Sequence, residues 1–304
     1  MSTDYEIVII GGGPAGLTAG IYAARARRRT VLLEKHGTGG QMALTWEVEN
    51  YPGVEKIGGY ELGQIMERQA RSFGLEIRSL DVTGVATAGG RHRLATGEGE
   101  LTCRALVLAT GARSNRLGVP GEAELTGRGV SYCATCDGAF YQGVPVAVIG
   151  GGDTALEEAL FLTRFASRVF LVHRRAEFRG TRLLQERIAA EPKIEPVLEA
   201  VVEGIEGTQG VTGLALKNVK TGAASRLAVE GAFIFVGTSP NTEFLKGFVP
   251  LDEHGFIPTT PHLETPVPGV FAAGDCRAKL LRQISVAVGE GALAATMADH
   301  YLSR

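Results

Sequence analysis

Cysteine is scarce in this chain, with four among 304 residues. That is too few for the disulfide scaffold of a small secreted domain, and a cytosolic chain would keep such thiols reduced. Zinc is short of ligands as well: structural sites take four Cys or His ligands, and Cys133-x-x-Cys136 has neither a second CxxC nor paired histidines at ligand spacing. Long hydrophobic runs are missing. The apolar stretches near positions 7, 106, 146 and 233 break within a few residues, far short of the ~20 that a membrane span needs. The N-terminus lacks a basic start followed by a long apolar stretch and a small-residue cleavage site; Asp4 and Glu6 lead directly into Ile7–Ile10, so a cytoplasmic location is expected. No charge sign dominates, since 31 Lys and Arg meet 33 Asp and Glu. The whole molecule therefore has no basic field to draw it to nucleic acid or anionic membrane.

Glycine, by contrast, is abundant. Its 42 copies are well above the usual share of roughly 7% and point to many tight backbone turns. The length suits two domains better than one, because single domains usually run about 100–200 residues.

The stretch Tyr5–Ile10 is short, β-branched and apolar on both faces, as a strand buried in a parallel sheet is. Gly11, Gly13 and Gly16 follow as G-x-G-x-x-G, then Leu17–Ala26 reads as a helix and Thr30–Leu33 as a second strand closing on Glu34. Each glycine has a reason: a tight turn, a close backbone approach to pyrophosphate, and close helix–strand packing. The pyrophosphate would sit at the helix N-terminus. Glu34, about 20 residues on, stands where a carboxylate accepts hydrogen bonds from a ribose diol.

The pattern returns at Val146–Ala155, where Gly150, Gly152 and Ala155 give the variant ending in alanine, with Asp153 and Thr154 opening a helical run to Ala166 and a strand over Arg168–Val172. This strand ends in His173, Arg174 and Arg175, with Arg179 beyond and no acid at the ribose position. Arginine forks bind phosphate bidentately, so a 2′-phosphate is favoured and NADP is preferred to NAD. A solvated basic loop is the alternative. Two such units with opposite terminal charges suggest two nucleotides, FAD beside the acid and NADPH beside the arginines. Gly39-Gly40-Gln41, the strand Leu106–Ala112 and the late segment Gly269–Asp275 support FAD in the first unit. The expected fold is α/β, with two Rossmann-like three-layer dinucleotide-binding domains, one inserted into the other. Residues 1–115 plus 245–304 would form a discontinuous FAD-binding domain, and 116–244 the NADPH-binding domain carrying the CxxC.

Cys133 and Cys136 can close a small disulfide, and the CxxC motif commonly lowers the pKa of one thiol so that thiolate is available near neutral pH. Asp137 follows directly and could carry the proton that the redox step moves, provided its pKa is raised. A zinc half-site and a pair of buried cysteines are the alternatives. Cys103, at the start of an apolar strand, reads as a small hydrophobe. Cys276 reads as core, although its place after Asp275 brings it toward the expected flavin region.

Cys133–Gly138, Val148–Ala155 and His173–Arg175, with Gly39–Gln41, Val48–Gly53, Gly237–Asn241, Gly274-Asp275 and Arg282-Gln283, together resemble the low-molecular-weight thioredoxin reductases of bacterial type. The resemblance runs nearly end to end. It implies a homodimer with one FAD per subunit, whose NADPH domain rotates so that NADPH and the disulfide meet the flavin in turn. It further implies that Cys136 lies nearest the flavin, that Cys133 attacks the disulfide of thioredoxin, and that Asp137 is the acid. Arg174, Arg175 and Arg179 would hold the 2′-phosphate, while Asp275, Arg282, Gln283, Gln41 and Asn50 would line the FAD site. Cys276 departs from the family pattern, which commonly has a branched apolar residue there.

The run Arg25, Arg27, Arg28 and Arg29 reads as a solvated helix end complementing the dipole. Trp46 has no assigned role, being as suited to packing as to touching flavin. Competing functions are a reductase serving a peroxiredoxin, a ferredoxin-dependent reductase, and a flavin-binding redox sensor without turnover. A reductase serving a peroxiredoxin is expected to carry an additional N-terminal redox domain before its FAD motif, whereas here the FAD motif begins at residue 5, so the first is not expected. The intact second glycine motif and its arginines argue against the second, and the duplicate nucleotide site against the third.

Overall fold

The computed structural model describes residues 3–45 and 48–304; Met1, Ser2, Trp46 and Glu47, with the side chains of Thr3 and Cys136, lie outside the described residues. The chain divides into two compact units, Met1–Arg113 with Ser239–Arg304, and Ser114–Thr238.

In the first unit, β1 (Thr3–Ile10), α1 (Pro14–Arg25) and β2 (Thr30–Glu34) form the expected βαβ turn. The helix α2 (Gly59–Ser72) leads to β3 (Glu76–Ser79), and β4 (Val82–Ala88), β5 (Arg91–Thr96) and β6 (Gly99–Leu108) follow as an antiparallel meander. The sheet runs β3-β2-β1-β6-β5-β4. The ten-residue β6 serves two partners: its first half pairs β5, with His92 opposite Cys103, and its second half pairs the late strand Val270–Ala272, with Val270 opposite Leu106.

Alternation along β1 sorts the core into two layers, because successive strand residues point to opposite faces. Ile7 and Ile9 pack with α1 and the C-terminal helix Ile284–Leu302. Val8 and Ile10 pack on the other face with Leu94, Leu245 and Ile257. Small residues bring the two helices together: a Cβ on Gly291 would lie 2.1 Å from the Ala15 carbonyl oxygen. Burying both faces is why β1 reads as a continuous apolar run.

The second unit repeats the design. Its parallel sheet contains β7 (Val130–Ser131), β8 (Pro145–Gly150), β9 (Arg168–His173), β10 (Ile194–Leu198) and β14 (Gly231–Phe235), in the order β10-β9-β8-β14-β7. Val146, Val148, Leu171 and Phe233 face a helical layer that includes α4 (Asp153–Leu162) and α5 (Arg182–Ala190). Ala147, Ile149, Val172 and Ile234 face a three-stranded antiparallel sheet of β11 (Ala200–Gly207), β12 (Val211–Asn218) and β13 (Ala224–Leu227). Each unit is thus a helical layer, a central sheet with parallel strands, and an antiparallel meander.

Two local readings are corrected. The helix expected to reach Ala166 ends at Leu162, and the following turns hand the carbonyls of Thr163 and Ala166 to Lys193 Nζ at 2.7 and 3.1 Å. The basic run after α1 is not uniformly solvated. Arg28 donates to Glu6 at 3.0 Å and to Asp299 at 2.6 Å, fastening the helix end to β1 and to the C-terminal helix.

Candidate active site

In the first unit the glycine loop is shaped by clashes that any side chain would create. Gly11 has φ +109°, and a Cβ there would lie 2.2 Å from the Ala109 carbonyl oxygen; a Cβ on Gly16 would lie 1.8 Å from the Gly11 carbonyl oxygen. Gly13 caps α1 in extended conformation, with Pro14 just inside the helix, where its missing N–H costs nothing. Glu34, the last residue of β2, accepts the Gly12 N–H at 2.6 Å through Oε2 and the His36 N–H at 2.9 Å through Oε1. Both oxygens retain lone pairs, so the carboxylate is oriented and still able to accept from a diol.

Some of the other expected FAD segments meet the same helix end. The Gly39 N–H donates to the Gly12 carbonyl at 2.8 Å, which draws Gly39, Gly40 and Gln41 to the loop, with Gln41 exposed. Gly274 lies against α1, since a Cβ on it would meet that of Ala15 at 2.9 Å; this places Asp275 beside the loop. Asn50 Nδ2 donates to Gln283 Oε1 at 3.2 Å, joining two distant segments. Arg282 stacks its guanidinium 4.2 Å over the Phe256 ring. Asp275 Oδ1 and Arg282 Nε are buried without a hydrogen-bond partner. Buried polar groups are rarely left so, and Asp275, adjoining Gly274 beside the glycine loop, leaves an acceptor suited to a polar ligand there. Lys279 Nζ lies 3.2 Å from Asp275 Oδ1, an ion-pair contact without hydrogen-bond geometry.

Sequence reasoning missed what holds this corner. Glu290 accepts the Gly274 N–H at 2.7 Å, is paired with Arg277, and meets Lys279 Nζ at 3.3 Å; all three charged side chains are 8–13% exposed. The available signal was an acid in the middle of the small, apolar helix Ile284–Leu302.

The second unit uses the same geometry with different chemistry. Gly150 is again tight, since a Cβ on it would lie 2.5 Å from the Phe235 carbonyl oxygen, whereas Gly152 at the start of α4 faces open space. Ala155 is tolerated where the first unit requires Gly16. The residue ending the second strand packs on the middle glycine in both units: Glu34 beside Gly12, and the His173 ring beside Gly151, whose Cβ would lie 2.4 Å from it. Neither middle glycine was singled out from the sequence. Asp153 Oδ1 accepts the Thr181 N–H at 2.6 Å, and the Gly151 carbonyl accepts the Arg179 N–H at 2.6 Å, closing the 174–181 loop onto the glycine turn. Thr154, Arg174, Arg175 and Arg179 are exposed. Among the described residues none of these arginines meets a carboxylate at ion-pair distance. Burial lowers the His173 pKa, and Arg179, Arg175 and Arg174 lower it further by charge; its Nε2 is buried without a partner. A cationic surface that already disfavours protonation of its own histidine is suited to an anion.

The cysteine motif also lies in this unit. Cys133 is disulfide-bonded and precedes the short helix α3 (Ala134–Asp137); the Cys136 side chain is outside the described residues. Ser131 Oγ accepts the Cys133 N–H at 3.1 Å and donates to its carbonyl at 3.2 Å. The Asp137 N–H donates to the Cys133 carbonyl at 3.2 Å. Tyr132 OH donates to buried Glu122 at 2.7 Å, and Glu122 also takes the N–H groups of Leu117 and Gly118. Those bonds hold the Glu122 carboxyl below its ordinary pKa despite burial, while burial and Glu122 push Tyr132 up to about 12. Cys103 and Cys276 are free and buried. Burial pushes Cys103 to about 12 and also raises Cys276, whose thiol donates to the carbonyls of Leu108 and Ala273. Both are inert core thiols.

Residues 5–291 match the model of the pyridine nucleotide-disulphide oxidoreductases. The chain belongs to that family. It is 44% identical to a thioredoxin reductase of Bacillus subtilis (strain 168), over 98% of this chain and 95% of that protein. The crystal structure of Lactococcus lactis thioredoxin reductase superposes with a TM-score of 0.97 at 44% identity, covering 98% of this chain and 99% of that one. The thioredoxin reductase of T. acidophilum superposes at 0.95 with 34% identity, covering 98% and 99%. Among the described residues, no helix is long and apolar enough to cross a membrane.

Proposed function

We propose that the chain is an NADPH-dependent flavoenzyme that reduces the disulfide of thioredoxin through a Cys133–Cys136 redox pair. The observation that carries this reading is the Cys133 disulfide beside an arginine-ended dinucleotide fold, in a chain similar end to end to thioredoxin reductases. Residues 1–115 plus 245–304 are assigned to FAD and 116–244 to NADPH. The Gly11–Gly16 loop gives FAD a helix N-terminus for its pyrophosphate. Glu34 holds its ribose, and Gln41, Asn50, Asp275, Arg282 and Gln283 line the remainder. FAD, when bound, supplies a carrier that accepts hydride from NADPH and passes two electrons to a disulfide.

The protein's own groups perform the rest. Gly150, Gly152, Asp153 and Thr154 receive the NADPH pyrophosphate at the start of α4. Arg174, Arg175 and Arg179 clasp the 2′-phosphate as guanidinium forks, with His173 beneath them. In the reduced motif the Cys133 thiolate attacks the thioredoxin disulfide, forming a mixed disulfide while the displaced sulfur takes a proton from Asp137. The Cys136 thiol then passes its proton to Asp137 and attacks Cys133 Sγ; this restores the intramolecular bond, and the second thioredoxin sulfur leaves as a thiolate that takes its proton from solvent, giving dithiol thioredoxin. Ser131 and Tyr132 keep Cys133 fixed through this exchange. The enzyme works as a cytoplasmic homodimer without nucleic-acid or membrane partners.

The test is a partner-by-partner turnover assay with FAD-loaded protein. NADPH oxidation is expected with at least one thioredoxin of the source organism. Flavin that bleaches with NADPH but turns over no thioredoxin or glutaredoxin-like protein would replace this reading with a redox sensor.

A further inference from the structure

The mechanism leaves one half-buried acid without a task. Glu158 lies on α4, the helix that opens with Asp153 and packs against α3. Its carboxylate takes the backbone N–H of Ala134, the residue immediately after Cys133. Its Oε2 is buried without a hydrogen-bond partner, and so is Thr135 Oγ1 one residue along α3. No lysine, arginine or histidine pairs with it among the described residues.

Burying a carboxylate without a cation is costly. Glutamine at this position would satisfy the Ala134 N–H at smaller desolvation cost, but it would lack an exchangeable proton. Ionisable groups on elements packed against α4 are Cys136 and Asp137 on α3, Arg168 and His173 on β9, and Arg182, Glu186 and Arg187 on α5; Asp153 and Glu157 share its helix. Burial of its carboxyl pushes its pKa up to about 7, and Glu157 adds to that by charge.

We infer that Glu158 is a positioning residue for the redox motif, fixing the Cys133–Ala134 peptide and setting by its charge how readily the reduced motif forms a thiolate. This rests on the disulfide-reductase reading above. An ionised carboxylate behind α3 opposes a second negative charge on sulfur. The thiolate is therefore favoured when Glu158 holds the proton: a thiol and the carboxylate exchange for a thiolate and the carboxylic acid, with no net proton released. The bond to Ala134 makes this peptide the route by which the acid's state reaches Cys133.

The test uses full-length FAD-loaded protein, wild type, Glu158→Gln and Glu158→Leu, reduced anaerobically with NADPH. Iodoacetamide alkylation is followed from pH 5.5 to 9, with the labelled peptide read by mass spectrometry, alongside flavin bleaching and turnover of 5,5′-dithiobis(2-nitrobenzoate). Glutamine keeps the acceptor and removes the charge. With a thiol pKa lower by about one unit and a Brønsted slope of about 0.5, its alkylation below the thiol pKa should be about threefold faster. It should also lack an inflection near neutrality that wild type has. Leucine removes both functions and should lose about tenfold in disulfide turnover. Wild-type and glutamine profiles that superimpose would overturn the proposal, whether or not the leucine variant folds. If wild-type protein bleaches with NADPH but reduces no disulfide, the functional reading fails instead.

Discussion

Replacing Arg174 and Arg175 by alanine removes two of three exposed guanidiniums that cluster around His173 without carboxylate partners among the described residues. Hydrogen bonds between charged groups contribute about 1.5–3 kcal/mol each, and exposure places these at the low end. At about 1.4 kcal/mol per tenfold, each arginine contributes about tenfold to NADPH recognition and the pair about a hundredfold. NADH lacks the 2′-phosphate, so its kcat/KM should change less than about threefold. The assay is anaerobic flavin reduction at varied concentrations of each nucleotide. Salt dependence of NADPH binding should weaken in parallel, because fewer charges are screened. A second readout is internal. The same arginines lower the His173 pKa by charge, so the double variant should raise it, as followed by NMR of the ring protons. Equal losses for NADPH and NADH would refute the assignment of these arginines to the 2′-phosphate.

Gly16→Ala places a Cβ 1.8 Å from the Gly11 carbonyl oxygen, which the backbone must move to relieve. Several kcal/mol of destabilisation and loss of bound FAD are expected, read as a lower melting temperature and a fall in 450 nm absorbance per protein. Glu122 has a folded-state pKa below its ordinary value of 4.5. Its contribution to stability is therefore fully present above pH 4.5 and is lost as pH falls through the lower folded value. Glu122→Gln should cost about 1–3 kcal/mol at pH 7 and less at pH 3, measured by denaturant unfolding at both pH values.

Much of this architecture was legible because both faces of each central sheet are buried. Continuous apolar runs such as Tyr5–Ile10 and Val146–Ile149 then mark strands without ambiguity, and the glycines ending them are enforced by backbone contacts at Gly11, Gly16 and Gly150. The charge at the end of each second strand was equally readable, since Glu34 and His173–Arg175 stand at fixed offsets from their glycines. Less was visible where contacts join distant segments. Nothing local to Arg277, Lys279 and Glu290 announces a shared network, and Arg28 reads as solvent-facing until Asp299 arrives from the other end of the chain. Glu158 was hidden for a related reason. On an amphipathic pattern it is one of two adjacent acids, and only the packing of α3 on α4 separates the half-buried one from its exposed neighbour Glu157.

The most direct test of the electron route is single-turnover reduction with Cys136→Ser beside wild type, under anaerobic conditions with one equivalent of NADPH and oxidised thioredoxin. Flavin should bleach in both proteins, because hydride acceptance does not need the cysteine pair. Only wild type should then return to yellow with stoichiometric appearance of dithiol thioredoxin. Thioredoxin reduction by Cys136→Ser at the wild-type rate would contradict the passage of electrons through Cys133 and Cys136.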